Sequence, residues 1–138
     1  HSRNLMVDGS RIGVIDFQDA LMGPATYDLA SLLKDAYIEL DDVVVDGLVD
    51  HFLDGLAAHG QGWTDRAAFR RLFDFTSIQR NLKAAGRFVY IAQVKHNPKF
   101  LSDIPRVLGY VKQNVSKYPE LTAVRRHLAP YVAELQQA

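Results

Sequence analysis

His1-Ser2-Arg3-Asn4-Leu5-Met6-Val7-Asp8-Gly9-Ser10-Arg11-Ile12-Gly13-Val14-Ile15-Asp16-Phe17-Gln18-Asp19 opens the chain and decides how the rest is read. Two short apolar runs flank an Asp-Gly pair, the strongest short-range cue for a β-hairpin. In an antiparallel hairpin the start of the first strand lies beside the end of the second. If Asp8 to Arg11 make the loop, Val7 pairs with Ile12 and Asn4 falls opposite Ile15, next to Asp16. Asn4 and Asp16 then converge at one end of the hairpin although twelve positions separate them. An amide oxygen beside a carboxylate makes a hard-oxygen site suited to Mg²⁺. The same spacing also describes an ordinary surface hairpin with polar ends.

An Asn and an Asp are the pair with which kinase-type phosphoryl-transfer enzymes hold their metal ions. Further on stands Gly23-Pro24-Ala25-Thr26-Tyr27-Asp28-Leu29-Ala30. Taken with Asn4-Leu-Met-Val and Gly13-Val-Ile-Asp16-Phe-Gln-Asp19, it resembles the aminoglycoside/choline-kinase-like phosphotransferase family, relatives of protein kinases that phosphorylate small molecules. The family's catalytic loop reads roughly His-x-Asp-x-His-x-x-Asn, and a later Ile-Asp-(Phe/Trp) supplies a second metal ligand. His1 and Asn4 match the end of that loop, and Asp16 matches the second ligand. The resemblance implies ATP and Mg²⁺ as cofactors. The general-base Asp of the family would fall two positions before His1, outside this sequence, as would the glycine-rich nucleotide lobe with its phosphate-gripping lysine. Residues 1–138 are therefore expected to be a single domain, the C-terminal lobe of a longer kinase-like enzyme, inactive alone and partnered by the N-terminal lobe of the same protein.

A closer resemblance runs through Ile78-Gln-Arg80-Asn-Leu-Lys83-Ala-Ala-Gly-Arg87-Phe88, Phe100-Leu-Ser-Asp-Ile-Pro105-Arg-Val-Leu-Gly-Tyr-Val111 and Tyr118-Pro-Glu-Leu121. These segments are similar to a subgroup of bacterial sugar kinases, the anomeric N-acetylmuramate/N-acetylglucosamine kinases. That subgroup phosphorylates the C1 hydroxyl during cell-wall recycling.

Composition narrows the classes independently. At 138 residues the chain is one domain, long enough for a real core. Lys+Arg and Asp+Glu both number 16, so no basic excess marks a nucleic-acid or membrane-surface binder. There is no cysteine, which rules out a disulfide framework and thiolate chemistry and suits a reducing, cytoplasmic setting. No apolar run approaches the ~18 residues of a membrane span.

Beyond the hairpin the periodicity is helical. Pro24 sits in the first turn of a helix whose Leu29, Leu32, Leu33, Ala36 and Tyr37 recur through about Ile38. A second helix is expected from about Asp42 to His59, with Val45, Leu48, Val49, Phe52 and Leu56 on one face and Gly60 and Gly62 ending it. Thr64 with Asp65 caps a third helix that carries Phe69, Leu72 and Phe73 and runs, straight or bent, to about Val94. Ser102 or Asp103 caps the next, with Pro105 in its first turn, through about Val115. A last helical stretch runs from Tyr118 to the C-terminus on Leu121, Val124, Leu128, Val132 and Leu135. The expected fold is mainly α: a β-hairpin followed by about five helices, the helical lobe of a protein-kinase-like fold.

Candidate site residues follow from these placements. Asn4 and Asp16 are the metal ligands, with Asp16 the tighter because it carries full charge. His1 could touch the acceptor hydroxyl or order the loop, since a neutral imidazole both donates and accepts; at a chain start it is equally a disordered residue. Asp19 is a substrate contact or simply a polar residue leaving a strand. In the resembling family Asp28 is buried and braces the catalytic loop; otherwise it is a first-turn acid favoured by the helix dipole. Arg80, Lys83 and Arg87 fall within about 60° of one another on a helix, opposite Ile78, Leu82, Ala85 and Val89. Facing a cleft, that stripe binds phosphate or the carboxylate of a muramic-type sugar; facing water, it is a solvated surface. Trp63 stacks on a sugar ring or covers the end of a helix pair. His51, His59, His96 and His127 lack metal-ligand spacing, so no zinc site is expected.

The expected function is part of an ATP-dependent kinase that transfers the γ-phosphate to a small-molecule hydroxyl, with an amino sugar first. Aminoglycoside, choline or homoserine-type alcohols come next. The rival is a non-catalytic helical interaction module that keeps a degenerate kinase hairpin.

Overall fold

The computed structural model describes residues 1–16, 18 and 21–136. Strands β1 (Leu5–Asp8) and β2 (Arg11–Val14) pair antiparallel with Leu5 opposite Val14, Met6 opposite Gly13, Val7 opposite Ile12 and Asp8 opposite Arg11. The expected Val7–Ile12 register is present. Asp8 and Arg11 form the last pair rather than part of the loop, leaving a two-residue turn of Gly9-Ser10. Gly9 sits at φ +58°, where a tight hairpin turn requires a left-handed residue and glycine adopts it without steric cost. The ladder continues past the strands, because the Ile15 N–H donates to the Asn4 carbonyl at 3.0 Å. Val7, Ile12 and Val14 share one face and are exposed, so the hairpin stands outside the core.

The core belongs to the helices. A turn of 3-10 helix, Ser2–Asn4, leads into β1, and α1 spans Thr26–Leu33. The periodicity predicts α1 continuing to about Ile38, but the helix stops five residues earlier. Lys34 leaves helical geometry at ψ 50°, and the next side chain, Asp35, is buried and bonded to backbone outside the helix. Helix α2 (Asp42–Ala58) ends as expected, with Gly60 at φ +69°. Its buried face is Val45, Val49 and Leu53; Leu48, expected inside, is exposed.

Helix α3 (Arg66–Val94) is continuous, 29 residues and roughly 44 Å long. Asp65 caps it, its carboxylate accepting the Ala68 N–H at 2.9 Å. Helix α4 (Ile104–Lys117) has Pro105 in its first turn and Asp103 at its N-cap. Asp103 pairs with Arg106 at 3.3 Å rather than capping through its side chain. The expected single terminal helix is broken into a 3-10 turn (Pro119–Leu121), α5 (Thr122–Leu128) and α6 (Ala133–Gln136). Pro130 lies at the break, where its ring and missing N–H cannot continue a helix.

Among the described residues the apolar side chains gather into three clusters, and α3 contributes to each. Phe69 and Phe73 pack with Leu33 of α1 and Val45, Val49 and Leu53 of α2. Ile78 packs with Val111, Val115 and Leu135. Ala85 and Phe88 pack with Val107 and Leu108. Each fully buried large side chain contributes about 1.5–3 kcal/mol relative to exposure. One buried carboxylate joins α3 to the end of α4: Asp74 accepts from the Tyr118 hydroxyl at 2.8 Å and from Lys117 Nζ at 3.2 Å. The result is the mainly α architecture expected, a hairpin followed by helices.

Candidate functional site

Two features meet at the N-terminal end of the molecule. The first is the pair at the open end of the hairpin, where Asn4 Nδ2 donates to Asp16 Oδ2 at 3.0 Å. Antiparallel pairing alone accounts for this closeness, since the Ile15–Asn4 backbone bond sets Asp16 one residue beyond the ladder. Asp16 also accepts from Gln18 Nε2 at 3.2 Å through its other oxygen. Its backbone sits at φ 64°, a left-handed conformation uncommon for residues with a Cβ and enriched in Asp and Asn. Strain of this kind collects at binding and catalytic positions, where the surrounding chain fixes a side chain's aim.

The donor set fits Mg²⁺ of the kinase kind. Such an ion is held by one or two carboxylates, with the remaining positions taken by phosphates and water. On an exposed edge Asp16 would offer a carboxylate, and Asn4 the amide oxygen opposite the Nδ2 that bonds Asp16. No group of three or more His, Cys, Asp or Glu side chains is placed to hold a metal among the described residues, so a dedicated all-protein cage is absent there.

The second feature is a cavity of about 180 Å³ between the start of the chain, the segment after α1, and α3. His1, Tyr37 and Asp35 line one wall. Arg80, Lys83 and Arg87 line the other, together with buried Asn81. The basic stripe thus faces a cleft rather than open water alone, and it shares that cleft with His1. Arg80 is half-buried with its guanidinium 5.4 Å from the Tyr27 ring centroid, and Arg87 lies 5.2 Å from that of Tyr90. Of the four residues expected on the opposite side, Val89 is exposed while Ile78, Leu82 and Ala85 turn inward.

His1 is ordered against Tyr37, with ring centroids 5.5 Å apart in an edge-on arrangement. Its carbonyl accepts the Asn4 N–H at 2.9 Å and so closes the turn that carries Asn4. Arg3 lies over the same Tyr37 ring at 3.6 Å. Burial pushes the Tyr37 hydroxyl above its ordinary pKa, partly offset by the Arg3 charge.

Asp28 is exposed in the first turn of α1, and the buried brace the resemblance implies there is not formed at that position. The buried carboxylate beside the loop is Asp35, seven residues on, which accepts from Ser2 N at 2.6 Å and from Tyr37 N at 3.0 Å. Sequence reading missed Asp35 and Tyr37 because both fell inside a helix predicted to reach Ile38. Asp19 lies outside the described residues. Trp63 packs edge-on against Phe69 at 5.3 Å, covering the junction of α2 and α3 away from the cavity. His59, at the C-cap of α2, and His127, in α5, each bond a carbonyl four residues back.

Comparison with known proteins agrees with the motif reading. The sequence profile described as the Phosphotransferase enzyme family matches residues 1–72, from the start of the chain into α3. A protein of Pseudomonas putida named N-acetylmuramate/N-acetylglucosamine kinase is 38% identical over 135 residues, covering 97% of this chain and 39% of the relative. One of the same name from Neisseria meningitidis is 38% identical over 133 residues, covering 96% of this chain and 40% of its own length. Another from Pseudomonas aeruginosa is 35% identical over 131 residues, covering 92% and 38%. The chain thus spans about two fifths of the length of the curated relatives it matches. With a family profile covering more than half of its residues and the motif residues Asn4 and Asp16 held side by side, the chain belongs to the phosphotransferase enzyme family.

Proposed function

We propose that this chain supplies the metal-ligating edge and the acceptor-binding cleft of an ATP-dependent small-molecule kinase. The observation that carries the reading is the Asn4–Asp16 pair at 3.0 Å, tied by the Asn4 N–H to the carbonyl of His1, which shares a cleft with three cations. A transferring phosphoryl group carries heavy negative charge, and catalysis is chiefly positioning plus electrostatic stabilisation. Mg²⁺ would neutralise the donor phosphates. Asp16 and Asn4 would hold it at the edge of the cleft, while Arg80, Lys83 and Arg87 orient the acceptor and offset the charge of an anionic group on it. His1 would contact the acceptor hydroxyl from the opposite wall.

The acceptor class that fits is an amino sugar, N-acetylmuramate or N-acetylglucosamine as in the relatives' names, which ties the reaction to the reuse of cell-wall sugars. A basic wall favours the muramate, whose lactyl carboxylate gives those cations a partner. Aminoglycoside, choline and homoserine-type alcohols are the other acceptors to try; the first two are cationic and gain nothing from a basic wall. The setting is cytoplasmic, where ATP and Mg²⁺ are supplied. No helix among the described residues is long and apolar enough to cross a membrane.

The test is ATP consumption by the protein that carries this sequence at its full length, against a panel led by N-acetylmuramate and N-acetylglucosamine, with Asp16→Ala beside it. Turnover on a sugar that disappears in the variant is the expected result. No turnover on any acceptor, together with no binding of Mg²⁺-ATP, would return the chain to a non-catalytic helical module.

A further inference from the structure

The carboxylate of Asp35 holds two backbone segments at once. It is 1% exposed and lies just beyond α1, at the inner wall of the cavity. One oxygen accepts the Ser2 N–H at 2.6 Å, from a residue 33 positions earlier, and the other accepts the Tyr37 N–H at 3.0 Å. Ser2 begins the 3-10 turn that ends at Asn4, and the His1 carbonyl closes that turn through the Asn4 N–H. Tyr37, the second segment, carries the ring on which His1 and Arg3 both rest. The turn is thus held from the helical side by the Asp35 carboxylate and by the Tyr37 ring two residues on, with the Phe100 ring a more distant second face for Arg3 at 5.7 Å.

We propose that Asp35 is a positioning residue for the metal pair: its carboxylate sets the turn that presents Asn4 to Asp16 and keeps His1 on the wall of the cleft. The proposal rests on the reading of Asn4 and Asp16 as metal ligands. The chemistry requires a carboxylate in particular. Both groups facing it are N–H donors, and an ionised carboxylate accepts through both oxygens. An Asn amide accepts through one oxygen and turns an NH2 toward the other donor, so the isosteric change releases either the turn or the Tyr37 segment. A charge-assisted bond at 2.6 Å belongs to the strong class and is not replaced by water in a buried position without loss.

The test uses Mn²⁺ in place of Mg²⁺ and reads its paramagnetic broadening of the Asn4 and Asp16 amide signals in the full-length protein that carries this chain, alongside thermal melting. In Asp35→Asn the Mn²⁺ concentration for half-broadening is expected to rise about tenfold, the usual scale for loss of a group that orients a ligand. The Ser2 amide is expected to exchange faster, while amides near Val111 and Phe73 keep their protection. A lower melting temperature with an unchanged Mn²⁺ midpoint would make Asp35 purely structural and overturn the proposal. Should Asp35→Asn fail to fold, Ser2→Pro decides. It removes the Ser2 N–H donor, while the fixed φ of Pro suits the first residue of a 3-10 turn, and an unchanged midpoint there is equally fatal. If the unaltered chain shows no Mn²⁺ broadening at Asn4 or Asp16, the metal reading itself falls and the proposal falls with it. That result differs from binding that persists unaltered in the variants.

Discussion

Asn4 and Asp16 are joined by a 3.0 Å hydrogen bond, and Asp16 makes it from a left-handed backbone at φ 64°. Asn tolerates that conformation nearly as well as Asp, whereas Ala carries the Cβ penalty of about 1–2 kcal/mol. Asp16→Asn is expected to lose most of the metal affinity with little change in stability. Asp16→Ala is expected to lose the same affinity and melt lower by the cost of that strain. Titration calorimetry with Mn²⁺ and thermal melts on both variants separate charge from backbone.

The basic wall of the cleft should discriminate between acceptors. Lys83 and Arg87 are exposed cations lining the cavity, and neither is a member of a buried cluster. Replacing either with Ala is expected to raise KM for an anionic sugar about tenfold, the scale of one charge-assisted contact. The KM of a neutral sugar and kcat should change far less. Steady-state kinetics on N-acetylmuramate against N-acetylglucosamine in the full-length protein reads the difference; equal effects on both sugars would remove the carboxylate from the argument.

Alkaline pH should loosen two contacts of α4 and its C-terminal end, Tyr110 with the segment after α1 and Tyr118 with Asp74 of α3. Burial pushes Tyr110 up to about 12, and Tyr118 also to about 12, by burial first and then by its bond to Asp74. Unfolded tyrosines ionise near pH 10. A group whose folded pKa is raised contributes stability that is complete below the unfolded value. It is lost as pH climbs from about 10 toward about 12. Melting temperatures across that range, followed with tyrosinate absorbance, should fall together. Asp74→Ala is expected to bring the Tyr118 transition down and to cost about 1 kcal/mol at neutral pH, because the half-buried hydroxyl loses its acceptor.

Acid pH reports on a different pair. Lys34 is buried, and its Nζ lies 2.9 Å from Asp42; that bond is the first cause holding the Asp42 carboxyl below its ordinary 3.8. Gln113 assists through its amide at 2.7 Å. A depressed carboxylate stabilises the fold above its unfolded pKa and loses that contribution as pH falls below about 4. Asp42 is mostly exposed, so solvent keeps the effect small. Lys34→Met is expected to return the Asp42 carboxyl toward 3.8, read by carboxyl carbon chemical shifts, with stability at neutral pH nearly unchanged.

The parts of this molecule that local chemistry decides were legible in its sequence. Asp8-Gly9 set the hairpin register and thereby the meeting of Asn4 and Asp16, and Asp65, Gly60 and Pro105 marked helix ends where they stand. The periodicity of α3 put Arg80, Lys83 and Arg87 on one face, but it did not say what that face looks toward. That depends on where the 35–37 segment packs, a tertiary fact without a local signal. Asp35 was hidden for the same reason: its partner Ser2 is distant in sequence, and the apolar spacing through Tyr37 reads as unbroken helix. At Asp28 two readings stood, the buried brace that the resemblance implies and an exposed first-turn acid, and the side chain lies in solvent as the second has it.

Because α3 alone runs through all three apolar clusters, it couples them mechanically. The helical body should therefore open as one cooperative unit, while the exposed two-stranded ribbon frays on its own at much lower cost. The Asn4–Asp16 edge belongs to the fraying part and the cation wall to the rigid part. Ligand that bridges them would tie the least protected amides of the chain to its most protected ones.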